Sequence, residues 1–242
     1  MTNGSPWPSP WPGWLIVFEG VEGAGKTTQL ELLQRELESQ GYSVLVTREP
    51  GGTRVGEGIR SIVLDPDPEA GDGALRPRTE ALLFAAARAQ LVQQVIQPAL
   101  ERGQVVLCDR FVDSSLVYQG IARGLGRKAV ETVNHFATGG LQPDLVVLLR
   151  LDAADGLART RGRDPAFDRI EAEDLQFHRL VEQGFMLLAD EHPERFAVID
   201  AAQPVEQVAA EVRTAALERL SHPERLRTSG APAFQPGPAE RR

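Results

Sequence analysis

The stretch FEGVEGAGKTTQ, Phe18 to Gln29, concentrates more chemistry than any other part of the chain. Gly20, Gly25, Lys26 and Thr27 stand at the spacing G-x-x-x-x-G-K-[ST], in which successive backbone N–H groups close around the phosphates of a nucleotide. Gly20, Val21, Glu22, Gly23, Ala24, Gly25, Lys26, Thr27 and Thr28 would line that cradle. Lys26 would neutralise the β and γ oxygens of a triphosphate, and Thr27 would offer its hydroxyl to Mg²⁺. Only Lys26 and Lys128 are lysines among the 26 basic residues. A lysine reaching this place by chance is about a one-in-a-thousand event. The loop names a ligand class and leaves the destination of the phosphate open.

Two further constellations bear on that destination. Asp109-Arg110 follows the apolar run VVLC, where Asp109 could enter the Mg²⁺ shell directly or through water and Arg110 could hold a phosphate. The plain alternative is an ion pair capping a strand. Phe84 and Arg88 stand four apart on a strongly helical run and share one face. They could supply a ring to stack on a base and a guanidinium for its edge. A core phenylalanine beside a surface arginine is the ordinary reading of such a pair.

These groups need elements to position them. Trp14–Phe18, Ser43–Thr47, Val105–Cys108, Leu145–Leu151 and Phe196–Ile199 are short apolar runs that read as buried strands. Helical patterns fill Lys26–Gln40, a long run that Thr79 caps and Pro98 kinks or restarts, Lys128–Thr138 and Val205–Leu220. Residues 65–78 read as a loop, and the helical run Ala153–His192 is broken at Gly162-Arg163-Asp164-Pro165. Alternating strands and helices predict an α/β fold of three layers around a five-stranded parallel sheet. Ligands then collect at the carboxyl ends of the strands, where Glu19-Gly20, Arg48-Glu49-Pro50 and Asp109-Arg110 all stand.

Bulk properties narrow the class. The length of 242 residues suits one large domain, expected over 13–220 between proline- and glycine-rich tails at 1–12 and 221–242. A net charge of −8 argues against a protein that coats nucleic acid or an anionic membrane. The single Cys108 permits no internal disulfide, and the N-terminus lacks the pattern of a signal peptide. A cytoplasmic protein is expected.

The segments GVEGAGKTT, TREPGGT at Thr47–Thr53, TEALLFAAARAQ, DRFVDSSLVYQG at Asp109–Gly120 and DRIEAE at Asp168–Glu173 resemble, in order, the motifs of bacterial thymidylate kinases. The resemblance covers about Trp14 to Leu220. It implies a P-loop nucleoside monophosphate kinase that moves the γ-phosphoryl group of ATP to dTMP, giving dTDP and ADP for dTTP synthesis. By the same resemblance Phe84 stacks on thymine, Arg88 bonds its O4 edge and Arg110 holds the dTMP phosphate between donor and acceptor. Ser114, Ser115 and Gln119 would line the base pocket, Tyr118 would crowd C2′ of the sugar, and Glu22 would accept from the 3′-hydroxyl. Arg48 would lie near the dTMP phosphate. Family members pair across a two-fold axis, so a homodimer through helices 79–97 and 128–138 is expected.

The chemistry is consistent with those roles. A nucleoside monophosphate is mostly dianionic at neutral pH and needs no general base. The four histidines, His135, His178, His192 and His222, form no pattern that suggests one. Charge neutralisation and alignment are what the transfer requires. The loop between Gly20 and Gly25 carries no arginine, which family members of this kind supply from a lid instead. Arg161 or Arg163, with Arg159 beside them, would do so from a lid spanning about 158–168. Asp168-Arg169-Ile170-Glu171 would anchor the return from that lid through ion pairs.

Three other P-loop classes compete with this reading. A deoxynucleoside kinase would need a carboxylate base near a hydroxyl, for which Glu19 or Glu49 could serve. A GTP-driven switch needs N-K-x-D, which neither Asn3-Gly4 nor Asn134-His135 can begin. A partitioning ATPase would carry an extra lysine that the loop lacks.

Overall fold

The unbroken apolar run WLIVF becomes β1 (Trp14–Glu19), and its place at the centre of the sheet explains why it does not alternate. Both of its faces are covered. The computed structural model describes residues 11–66, 75–162 and 168–221. In it β1 lies between β3 (Val105–Asp109) and β4 (Leu145–Arg150), with β2 (Val44–Arg48) and β5 (Phe196–Asp200) at the edges. Every pairing is parallel. Asp109 is in register with Phe18 on one side and Arg48 on the other. The strand ends named from the sequence therefore meet along one sheet edge, as expected.

The pleat of β1 divides the core. Leu15 and Val17 pack with Leu91, Ile96 and Leu100 on one face, while Ile16 and Phe18 pack with Leu30, Leu33 and Leu37 on the other. Each such side chain, fully withdrawn from water, contributes about 1.5–3 kcal/mol. The helices on these faces are α1 (Lys26–Ser39), α3 (Pro77–Leu91), α4 (Gln97–Glu101), α8 (Leu175–Glu191) and α9 (Val205–Ser221). The three-layer α/β arrangement is the expected one. No helix among the described residues is long and apolar enough to cross a membrane.

Several boundaries differ from the sequence expectation. α3 starts at Pro77, not after a Thr79 cap, because proline at the first turn presets φ and lacks an N–H that would need a partner. Its continuation passes through a π-helical turn, Val92–Ile96, before Pro98 enters α4. Two helical pieces had no periodic signal: α2 (Arg54–Val63), and α5 (Val112–Ser115) with its π-helical extension Leu116–Ala122. α2 contains two glycines and is capped by the Thr53 side chain, which accepts from the Gly56 N–H at 2.9 Å. α6 (Arg127–Thr138) falls where expected.

The break after α7 (Ala153–Arg161) is wider than the four residues foreseen. Asp168 Oδ1 accepts the N–H groups of Ile170 and Glu171, closing a turn, and among the described residues from 168 onward the next helix begins at Leu175, where Asp174 caps α8. The tail expected at 221–242 lies outside the described residues apart from Ser221, which ends α9. Of the tail expected at 1–12 only Trp11 and Pro12 are described, and Trp11 packs against the core face formed with α3 and α4.

Candidate active site

α1 begins directly after Gly25, whose φ of 90° suits glycine, and no side chain caps its first turn. The orphan N–H groups and positive end of the helix are thus left to face an anion. The Lys26 ammonium is drawn back over the loop, donating to the carbonyls of Gly20 at 3.1 Å and Val21 at 2.9 Å. Burial, followed by the nearby Arg110 charge, lowers its pKa.

At the end of β3 the Thr27 hydroxyl donates to Asp109 Oδ2 at 3.2 Å. Asp109 Oδ1 is buried and has no hydrogen-bond partner among the described residues. A threonine hydroxyl beside a carboxylate with an unused oxygen is a donor set that fits Mg²⁺, which completes its shell with water and phosphate oxygens.

Arg110 is the one described residue other than glycine with a positive φ, 68°. That sparsely populated region costs of order 1–3 kcal/mol and persists only where the surroundings impose it. Glu19 is what imposes it here. Its fully buried carboxylate accepts the N–H of Phe111 at 2.9 Å, the N–H of Ser114 at 3.0 Å and the Ser114 hydroxyl at 2.6 Å. The Arg110 N–H donates back to the Phe18 carbonyl. So held, the guanidinium swings over the P-loop, bonding Gly20 O at 3.2 Å and the Glu22 carboxylate, with its carbon 5.2 Å from the Tyr118 ring centre.

The two carboxylates of this cluster titrate in opposite directions. Burial raises Glu19 to about 7, against the weaker pull of Arg110. Burial also pushes Glu22 up, but the Arg110 and Lys26 charges and the Tyr118 hydroxyl, which donates to it at 3.0 Å, together bring it down to about 2.

The cleft above these groups has a volume of about 420 Å³, within the range that holds a nucleotide-sized ligand. Glu22, Gly23, Gly25, Lys26, Thr27, Thr28 and Asp109 line its P-loop side, and Phe84, Ser115, Tyr118 and Gln119 also line it, with Arg110 and Ser114. A model of the family described as thymidylate kinase matches residues 18–212. The chain belongs to that family. It is 51% identical over 207 residues to a thymidylate kinase of Deinococcus radiodurans, an alignment covering 86% of this chain and 98% of that protein. It is 48% identical over 219 residues to one from Pelobacter propionicus, covering 87% and 98% of the two chains. With one from Thermomicrobium roseum the identity is 53% over 196 residues, covering 81% and 90%.

Within this family member not all of the expected residues line the cleft. Gly20, Val21 and Ala24 support the loop from below and do not line the cleft. Arg88 is 1% exposed and also absent from the lining. Its five N–H donors all have protein acceptors: Glu49 takes two, and Ser115 Oγ, Asn134 Oδ1 and the Phe111 carbonyl take one each. Its role in the described structure is to brace the floor beneath the cleft. Arg161 lies on the exposed end of α7, next to Thr160, which does line the cleft. Arg159 donates to the Ala201 carbonyl, and Arg163 lies outside the described residues.

Other lining residues went unread. Arg60 projects from α2 into the cleft beside Arg48, with Nη1 on the Pro50 carbonyl at 3.0 Å. Burial, then the Arg48 charge, lowers its pKa. With no helix expected at 54–63, nothing in the sequence placed Arg60 at the site. Asp168, Ile170 and Glu171, expected only to anchor the lid, also line the cleft. The anchoring falls to Arg169, which bonds Glu80 and the Val63 carbonyl.

Proposed function

We propose that the cleft binds ATP through the P-loop and dTMP against Phe84, and that an oxygen of the dTMP phosphate attacks the γ-phosphorus as the β,γ-bridging bond breaks, giving dTDP and ADP. The observation that carries this reading is Arg110, a permanent cation set between the P-loop carbonyl of Gly20 and the base wall at Ser114 and Tyr118. A group so placed reaches donor and acceptor phosphates together, which is where repulsion between two anions must be cancelled.

Lys26 leaves its two loop carbonyls for the β and γ oxygens. Thr27 and Asp109 hold Mg²⁺, directly or through water, and the ion when bound supplies neutralisation of the triphosphate charge. Arg48 and Arg60 receive the dTMP phosphate with Arg110. Phe84 stacks on thymine, Ser115 and Gln119 wall the base and Tyr118 crowds the sugar at C2′. Glu22 accepts from the 3′-hydroxyl after exchanging its bond with Tyr118. Arg161 or Arg163 closes over the ATP phosphates from the lid and excludes water.

Neither carboxylate that could serve the rival deoxynucleoside kinase as its base is available. Glu19 is enclosed by Phe111 and Ser114, and both oxygens of Glu49 accept from Arg88. We place the enzyme in the cytoplasm, as a homodimer. Support for pairing comes from α3, which packs against both α2 and α6, and from the exposed Leu82, Ile62 and Phe136 that these three helices carry. The deciding experiment is a coupled ADP-release assay with dTMP, dUMP, AMP and thymidine. We expect dTMP to be fastest, dUMP slower, and AMP and thymidine negligible. Comparable rates with AMP or thymidine would defeat the substrate assignment.

A further inference from the structure

Glu80 is a carboxylate that the phosphoryl transfer does not use, yet it is 1% exposed and faces three polar side chains. On α3, one turn before Phe84, it accepts from Gln119 Nε2 at 2.8 Å and from Arg169 Nη2 at 2.6 Å, and pairs with Arg123 at 3.4 Å. Arg123 is itself held by Glu173 and lies over the Phe177 ring, 4.5 Å from its centre. A carboxylate between two guanidinium groups only accepts hydrogen bonds. The Gln119 amide is therefore not free to turn over: its NH₂ end must face Glu80. One amide hydrogen is committed to Glu80, and the oxygen at the other end of the amide is the acceptor Gln119 can offer a base.

The geometry points to Glu80 as a positioning residue that fixes the amide orientation of Gln119 and so selects a pyrimidine with a hydrogen on N3. Thymine and uracil present N3–H as a donor. Cytosine presents N3 as an acceptor, which an amide oxygen repels. Turning the amide over would reverse that preference, so the discrimination resides in the pair and not in Gln119 alone. Arg169, which bonds the other Glu80 oxygen, also donates through Nε to the Val63 carbonyl, so the carboxylate is itself fixed by the turn that follows the lid. The inference rests on the proposed base pocket, and its test must separate the two.

The quantity to measure is the ratio of kcat/KM for dTMP over dCMP, which a purely structural lesion lowers on both sides alike. Glu80→Gln can donate to the Gln119 oxygen and let its amide turn, so the ratio should fall about tenfold or more, chiefly through KM. Glu80→Asp keeps the charge for Arg123 and Arg169 but draws back from Gln119. It should fold where Glu80→Gln does not, and should lower the ratio in the same direction. Arg169→Ala should cost stability and lower the ratio by less than Glu80→Gln does, because Arg123 still pairs with Glu80. An unchanged ratio in the folded Glu80 variants, with a collapsed ratio in Gln119→Ala, overturns the positioning role and leaves the base pocket standing. An unchanged ratio in Gln119→Ala overturns both.

Discussion

Gly23 of the P-loop and Gly156 of α7 meet backbone to backbone. A Cβ on Gly23 would sit 2.2 Å from the Gly156 carbonyl oxygen, and one on Gly156 would sit 2.3 Å from the Glu22 carbonyl oxygen. Neither obstacle is a flexible side chain, so the loop or the helix must move to admit a methyl group. The P-loop is thus seated directly on α7. Gly156→Ala should lower kcat/KM for ATP at least about tenfold while costing about 1–3 kcal/mol of stability. Steady-state kinetics beside chemical denaturation checks this, and unchanged ATP kinetics would show that the contact does not shape the loop.

Lys26→Ala removes the charge from the cradle without breaking a buried ion pair, because its hydrogen-bond partners are two carbonyls. One of these, Gly20 O, keeps its bond to Arg110. Turnover should fall about 10²–10³-fold. The melting temperature should move by only about 2–4 °C. A variant that lost its fold as well would mean that Lys26 acts in the core.

Arg88→Met should behave in the opposite way. It strands the Glu49 carboxylate, 5% exposed, without its guanidinium, and such a loss costs about 3–5 kcal/mol. Urea denaturation should show that loss, and adding Glu49→Gln should recover part of it. A variant of undiminished stability that bound dTMP poorly would restore Arg88 to direct contact with the base.

Glu19 makes stability depend on pH. Its folded pKa, about 7, is raised from the usual 4.5, so the native state holds a proton that the unfolded chain releases. The sign follows: the stabilisation is fully present below pH 4.5, is lost as pH rises toward 7, and amounts to about 3 kcal/mol. Glu22 has the opposite sign but titrates near 2, outside this window. Subtracting the denaturation curve of Glu19→Gln from that of the native enzyme between pH 4.5 and 8 isolates the effect. A flat difference would refute the raised pKa.

Much of this site is legible in the sequence. Lys26 and Thr27 sit in a contiguous pattern whose geometry is local, and each strand end was marked by an apolar run closing on a polar residue. Parallel pairing then carries Arg48 and Asp109 into one row without further information. What escaped notice lacked a period to read. α2 is interrupted by glycines, so Arg60 had no place, and α5 with its π turn was seen only as a string of motif residues.

The amino-acid order by itself determined a P-loop pattern leading into a helix at the carboxyl edge of a parallel sheet, because loop wrapping and strand periodicity are properties of neighbouring residues. Only the tertiary structure decided which polar groups remain available. Arg88 reads identically on paper whether its donors are open or taken, and they are taken by Glu49, Ser115 and Asn134, which stand 39, 27 and 46 residues away. The same holds for Gln119, whose amide is turned by a carboxylate 39 residues distant. A side chain's type sets what bonds it can make, but packing sets which of them are already made.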